Sequence, residues 1–171
     1  MFASRPSRRA ALLMLAGAGL AGCASSQGNN LWGVMTPADM GGRTPPDPAS
    51  ATFQLGHFTG GPGNTLDTLR GDIERAAARM DLTLVGRNDP SPTYRVNAHL
   101  TAIGSNQGTV VTYVVDVIDG SGTRVYRFTG GEPSGDSEGD PWAGVTHATL
   151  SIVAERTVET LRAWLHGAVG R

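Results

Sequence analysis

Tyr94-Arg95-Val96-Asn97-Ala98-His99-Leu100-Thr101-Ala102 is the stretch on which the reading of the fold turns. Tyr94, Val96, Ala98, Leu100 and Ala102 are apolar, while Arg95, Asn97, His99 and Thr101 between them are polar. Successive side chains of a strand point to opposite sides, so this alternation describes a strand with one dry face and one wet face. Asn106-Gln107-Gly108 supplies a turn, and Val111, Tyr113, Val115 and Val117 then repeat the apolar alternation. Asp119-Gly120-Ser121-Gly122 turns the chain again into a third strand from Arg124 to Thr129. Short turns join antiparallel neighbours, so the sequence specifies a three-stranded antiparallel meander.

Upstream, Phe53, Leu55 and His57 alternate with Thr52, Gln54 and Gly56 as another strand, which makes His57 a core histidine. Gly60-Gly61-Pro62-Gly63 breaks it. Asn64 is then the expected N-cap of a helix with Asp67 in its first turn. Leu66, Leu69, Ile73, Ala76, Ala77 and Met80 recur at helical spacing on one face, and a short strand follows over 82–85. Residues 130–139 read as a mobile, acidic, glycine-rich loop. Asp140-Pro141 opens a final helix, with Asp as cap and Pro in first position. Leu150, Val153, Ala154, Val158, Leu161, Trp164 and Leu165 form its apolar stripe, with Glu155, Glu159, Arg162 and His166 elsewhere. The order is β-α-β-β-β-β-α: an α+β sandwich, mainly antiparallel, with both helices on one sheet face.

This domain occupies 52–171, and what precedes it has a different character. Arg5, Arg8 and Arg9 stand ahead of an 11-residue apolar or small run over 10–20, and the first acid is Asp39. A basic segment followed by a short apolar run marks an export signal, here 1–22. A membrane-spanning helix needs roughly 20 apolar residues, so the run is too short for a permanent span. It ends in Leu20-Ala21-Gly22-Cys23, which resembles the lipobox of bacterial lipoproteins. The resemblance implies cleavage before Cys23 and attachment of a diacylglyceryl group to its thiol, so that the chain meets the membrane through this lipid. Ser7-Arg8-Arg9-Ala10-Ala11-Leu12 also resembles a twin-arginine signal, but Ala11 and Leu13 stand where that family usually has Phe and commonly Lys. Ordinary unfolded export is the preferred reading. Ala24, by the sorting rule of lipoproteins in which Asp at this place retains them in the inner membrane, implies the outer membrane. Residues 23–51 are rich in Gly, Pro, Ser and Asn and read as a flexible tether, interrupted by Leu31, Trp32, Val34 and Met35.

Composition narrows the function. Three of the 14 basic residues fall in the leader, leaving 11 against 15 acidic groups and a formal net charge of −4. That balance disfavours nucleic acid or an anionic surface as partner, because both need clustered positive charge. Cys23 is the single cysteine, so no disulfide staples the domain. Every basic residue is arginine, which excludes a Schiff-base, nucleophilic or phosphate-loop lysine.

Few residues suggest chemistry. Gly56-His57-Phe58-Thr59-Gly60-Gly61 superficially looks like a phosphate loop, but Pro62 stands where Lys is required, so a tight strand-to-helix connection is expected. His57, His99, Asp116 and His147 lack ligand spacing and sit on four different elements. Ser134 and Ser137 lie outside any nucleophile elbow and read as solvated. Trp142 either packs on the core or anchors a partner. No catalytic, metal or cofactor residue is therefore assigned, and lipidation at Cys23 is the one assigned site.

With the lipobox, the strand at 94–100, the Val-rich strand at 110–118 and Asp140-Pro141-Trp142 in view, residues 52–166 resemble a group of small, uncharacterised bacterial lipoproteins. In element order alone the chain is similar to the lipopolysaccharide-assembly lipoprotein. The first resemblance brings no known activity; the chain is read as a lipid-anchored, non-enzymatic outer-membrane protein facing the periplasm, which binds or scaffolds an envelope component such as an envelope protein partner. The alternative is a periplasmic hydrolase using the histidines and acids of the polar face, which requires His57, His99, Asp116 and His147 to converge.

Overall fold

The computed structural model describes residues 47–106, 108–136 and 139–167. The expected export signal at 1–22, Cys23 and the expected tether up to residue 46 lie outside the described residues, as do Gln107 and Ser137. Residues 47–50 make a turn in which Asp47 accepts from the backbone N–H groups of Ser50 and Ala49, both at 3.0 Å. Ala51 is already buried.

Five strands and two helices follow in the expected order: β1 (Phe53–Thr59), α1 (Gly63–Arg79), β2 (Leu84–Val85), β3 (Tyr94–Ser105), β4 (Gly108–Asp119), β5 (Arg124–Pro133) and α2 (His147–Leu165). They form an α+β fold with one sheet in the order β2-β1-β3-β4-β5. The meander β3-β4-β5 is antiparallel, while β1 runs parallel to both β2 and β3, as a strand returning through a helix must. No helix among the described residues is long and apolar enough to cross a membrane.

The core lies between one face of the sheet and the helices. Tyr94, Val96, Ala98 and Leu100 of β3, Val111, Tyr113, Val115 and Val117 of β4, and Tyr126 and Phe128 of β5 are buried there. Leu69, Ile73, Ala76 and Ala77 meet them from α1, and all seven stripe residues of α2 are buried. Trp164 fastens α2 to the sheet. Its ring stacks on Tyr126 at 5.3 Å and 4° and meets Tyr94 edge-on at 5.0 Å.

Four local expectations need correction. Helix α1 starts at Gly63 with Pro62 as its cap residue, so Asn64 is not the cap and Asp67 is outside the first turn. Gly60 at φ +94° ends β1, and the fixed φ of Pro62 launches the helix at once. Asp140 does cap, but it caps a single 3-10 turn at Pro141–Gly144, through Trp142 N–H at 3.0 Å. Helix α2 begins only at His147, where the Thr146 side chain accepts from Thr149 N–H. The intervening chain is pinned by Ser134, expected in solvent. Its Oγ donates to Gly144 O at 2.8 Å and accepts from Thr146 N–H at 3.0 Å. Finally, the expected loop at 130–139 is strand up to Pro133, and Glu132 within it is buried. Gly130 permits this, because the ring of Tyr113 on β4 fills the space that any side chain at 130 would need.

Trp142 resolves towards packing. It lies against the core, with its ring over Gly61, and so closes the β1–α1 turn.

Candidate functional site

The second face of the sheet carries no helix among the described residues, and its shape is set by one irregularity in β1. Leu55 pairs with Val96, but Phe58, not His57, pairs with Ala98: a bulge that places one extra residue in β1. The side-chain alternation resets there. Phe58 packs against the core, and His57 is exposed, which corrects the expectation of a core histidine. Asn97 holds the bulge by accepting from His57 N–H at 2.8 Å. Gly56 is required beside it, since a Cβ at that position would collide with the same Asn97 oxygen.

Two adjoining depressions result, sharing His57 and Asn97. The first, about 460 Å³, also takes in Thr59, His99, Asp116 and Arg127. His99 Nδ1 is 3.0 Å from Thr59 Oγ1. Asp116 on β4 receives Arg127 of β5 in a bidentate pair, Nε and Nη2 each at 2.6 Å, and Arg124 Nε lies 3.7 Å away. The hydrogen bond to Asp116 raises the Arg127 pKa above its ordinary value. The second depression, about 470 Å³, is bounded by Gln54, Arg87, Arg95 and Ile118. Gln54 is buried; its Nε2 donates to the carbonyls of Gly86 and Arg87 at 3.0 and 3.1 Å, and its Oε1 accepts from Arg95 Nε at 3.1 Å.

No family model matches the chain, and no curated protein matches it. Solved structures do. The chain is similar to the PelC dodecamer protein of Paraburkholderia phytofirmans, at 13% identity over 70% of this chain and 91% of that one, with a TM-score of 0.44. It is similar to protein XCC0632 of Xanthomonas campestris, of family DUF330, at 12% identity over 70% and 88%, with a TM-score of 0.43. A third likeness is to TolB of Acinetobacter baumannii, at 11% identity, covering 80% of this chain but 31% of that one, with a TM-score of 0.41.

The four residues weighed for a catalytic cluster therefore divide. His57, His99 and Asp116 line one depression, but His147 does not join them. It sits at the start of α2, where its Nε2 is 3.3 Å from the carboxylate of Asp72 on α1. Asp72 is buried between the helices and also accepts from Ser151 Oγ at 3.1 Å. Asp116 in turn is taken up by Arg127. An acid–base pair needs a carboxylate directed at the imidazole, and here the carboxylate faces a guanidinium. Among the described residues no group of three or more His, Cys, Asp or Glu could hold a metal ion. Gln54, Arg87, Arg95 and Arg127 escaped the sequence reading. The alternation signals only that Arg95 and Arg127 face outward, and Gln54 carries no local signal because it is buried by the 86–89 turn folding over it.

Proposed function

We propose that this chain is a lipoprotein of the bacterial cell envelope, anchored through a lipid on Cys23 and facing the periplasm, most simply from the outer membrane. Its domain is a non-enzymatic binding or scaffolding module that works through the open sheet face. The anchor rests on Leu20-Ala21-Gly22-Cys23 behind a basic, then apolar, leader. The observation that carries the binding role is the bulge in β1, which turns His57 outward and gathers amide, imidazole and guanidinium groups into adjoining depressions on an uncovered face. Against the hydrolase reading stands the commitment of Asp116 to Arg127.

Two measurements test it. Cells fed labelled palmitate should label the wild-type chain and not Cys23→Ser; an unlabelled wild type removes the anchor. Crosslinking in intact cells should trap a specific envelope component with the wild type and lose it with Asn97→Ala, which releases the bulge. Capture unchanged by that substitution would mean that the open face is not the binding surface.

A further inference from the structure

Arg87 and Arg95 bound a depression that contains no acidic side chain, on a mature chain whose acids outnumber its bases by 15 to 11. None of the nearby acids lines this depression. Asp116 pairs with Arg127, Asp89 accepts from Ser91 N–H at 2.9 Å, and Glu74 lies in the groove between α1 and β2, which Arg87 also borders together with Arg70. Neither Arg87 nor Arg95 has an ion-pair partner among the described residues. Two guanidinium groups that border one depression without an ion-pair partner favour an anion between them.

They are also held in place. Gln54, only 6% exposed, binds the backbone of the 86–89 turn that carries Arg87 and, with its other end, the Nε of Arg95. A single buried amide thus holds both the backbone that carries Arg87 and the Nε of Arg95, and leaves the two terminal nitrogens of Arg95 for a ligand. Asn97 and the exposed imidazole of His57 complete the rim. With Arg95 arranged before binding, less entropy is lost when an anion arrives.

We propose that this depression is a phosphate-ester site, taking a phosphate monoester on a lipid headgroup or on a soluble compound. The two guanidinium groups match the charge of about −1.5 to −2 on a monoester better than the single charge of a carboxylate, and each presents the forked donors that phosphate oxygens accept. The proposal supplies a ligand class to the binding module proposed above, and it needs the anchor only for location.

The test uses the full chain carrying Cys23→Ser, so that a failed lipidation leaves the binding assay intact. Titration calorimetry at pH 7.5 with glycerol 3-phosphate, inorganic phosphate and glucuronate probes soluble anions. Flotation with phosphatidylcholine vesicles, with and without phosphatidic acid, probes lipid. Arg87→Gln and Arg95→Gln should each weaken binding about tenfold, the scale of one lost charge-assisted contact, and Arg162→Gln on α2 should leave it unchanged. Arg87 is exposed and its contact to Gln54 is through the backbone, so that variant keeps the fold, which its unchanged melting temperature verifies. Binding of the soluble esters that the variants lose supports the site with a soluble source; binding confined to phosphatidic acid vesicles and lost likewise supports it with a lipid source. Absence of binding in every arm, equal affinity for glucuronate, or variants that bind like the wild type would overturn it.

Discussion

Leu161 has no exposed surface and lies between Val158 and Trp164 on the stripe by which α2 meets the sheet. Replacing it by Ala removes three carbons from a site that a stacked Trp164–Tyr126 pair and a regular helix prevent from collapsing. At about 0.8 kcal/mol per methylene the transfer term alone is about 2.4 kcal/mol. Adding the residual cavity gives about 2–5 kcal/mol, a large share of the roughly 5–15 kcal/mol that holds a domain together. With a urea slope near 2 kcal/mol per molar, the unfolding midpoint should fall by about 1–2.5 M. Glu159, two residues earlier, is exposed, and Glu159→Ala should cost no more than about 0.5 kcal/mol. Urea titration of both variants in the soluble Cys23→Ser background, followed by near-ultraviolet circular dichroism of the aromatic stack, measures the contrast. Equal midpoints for the two would refute the packing of α2 on the sheet and leave it as an arm reserved for a partner.

Two further predictions concern polar groups inside that core. Tyr126 Oη is buried with no hydrogen-bond partner among the described residues, and burial pushes its phenol up to about 12. Tyr126→Phe keeps the stack on Trp164 and removes the unmet donor, so its melting temperature should match or exceed that of the wild type; a drop of several degrees would expose a missing partner. Burial also raises the carboxyl of Glu132 from its ordinary value, with Arg156 opposing, so the folded state holds this proton more tightly than the unfolded chain does. Its contribution to stability is therefore greatest below the ordinary glutamate range and declines as pH rises through the raised value. The melting temperature of Glu132→Gln should accordingly gain on the wild type between about pH 4 and neutrality. A wild type that gains on the variant over that range would show the Arg156 pair to outweigh desolvation.

Much of this architecture was legible residue by residue. The alternation over 94–102 and 111–117 and the spacing along α2 identified the buried faces, because strand and helix each impose a fixed period on which side chains share a side. Turn residues between the three strands then left antiparallel pairing as the short connection. The lipid anchor proposed at Cys23 likewise rests on sequence alone, because Leu20-Ala21-Gly22-Cys23 is a local pattern. Tertiary structure decided the remainder. Nothing local places β1 between β2 and β3, and that placement creates the bulge that moves His57 from the core to the open face. Register decided that Asp116 stands opposite Arg127, which took it from the histidines, and the approach of two helices carried His147 away to Asp72. Gln54 became the buried tie between Arg87 and Arg95 only when the 86–89 turn closed over it. The division follows from range: periodicity is a property of neighbours along the chain, whereas a site is a meeting of residues about 30–40 positions apart, whose encounter depends on strand order and register.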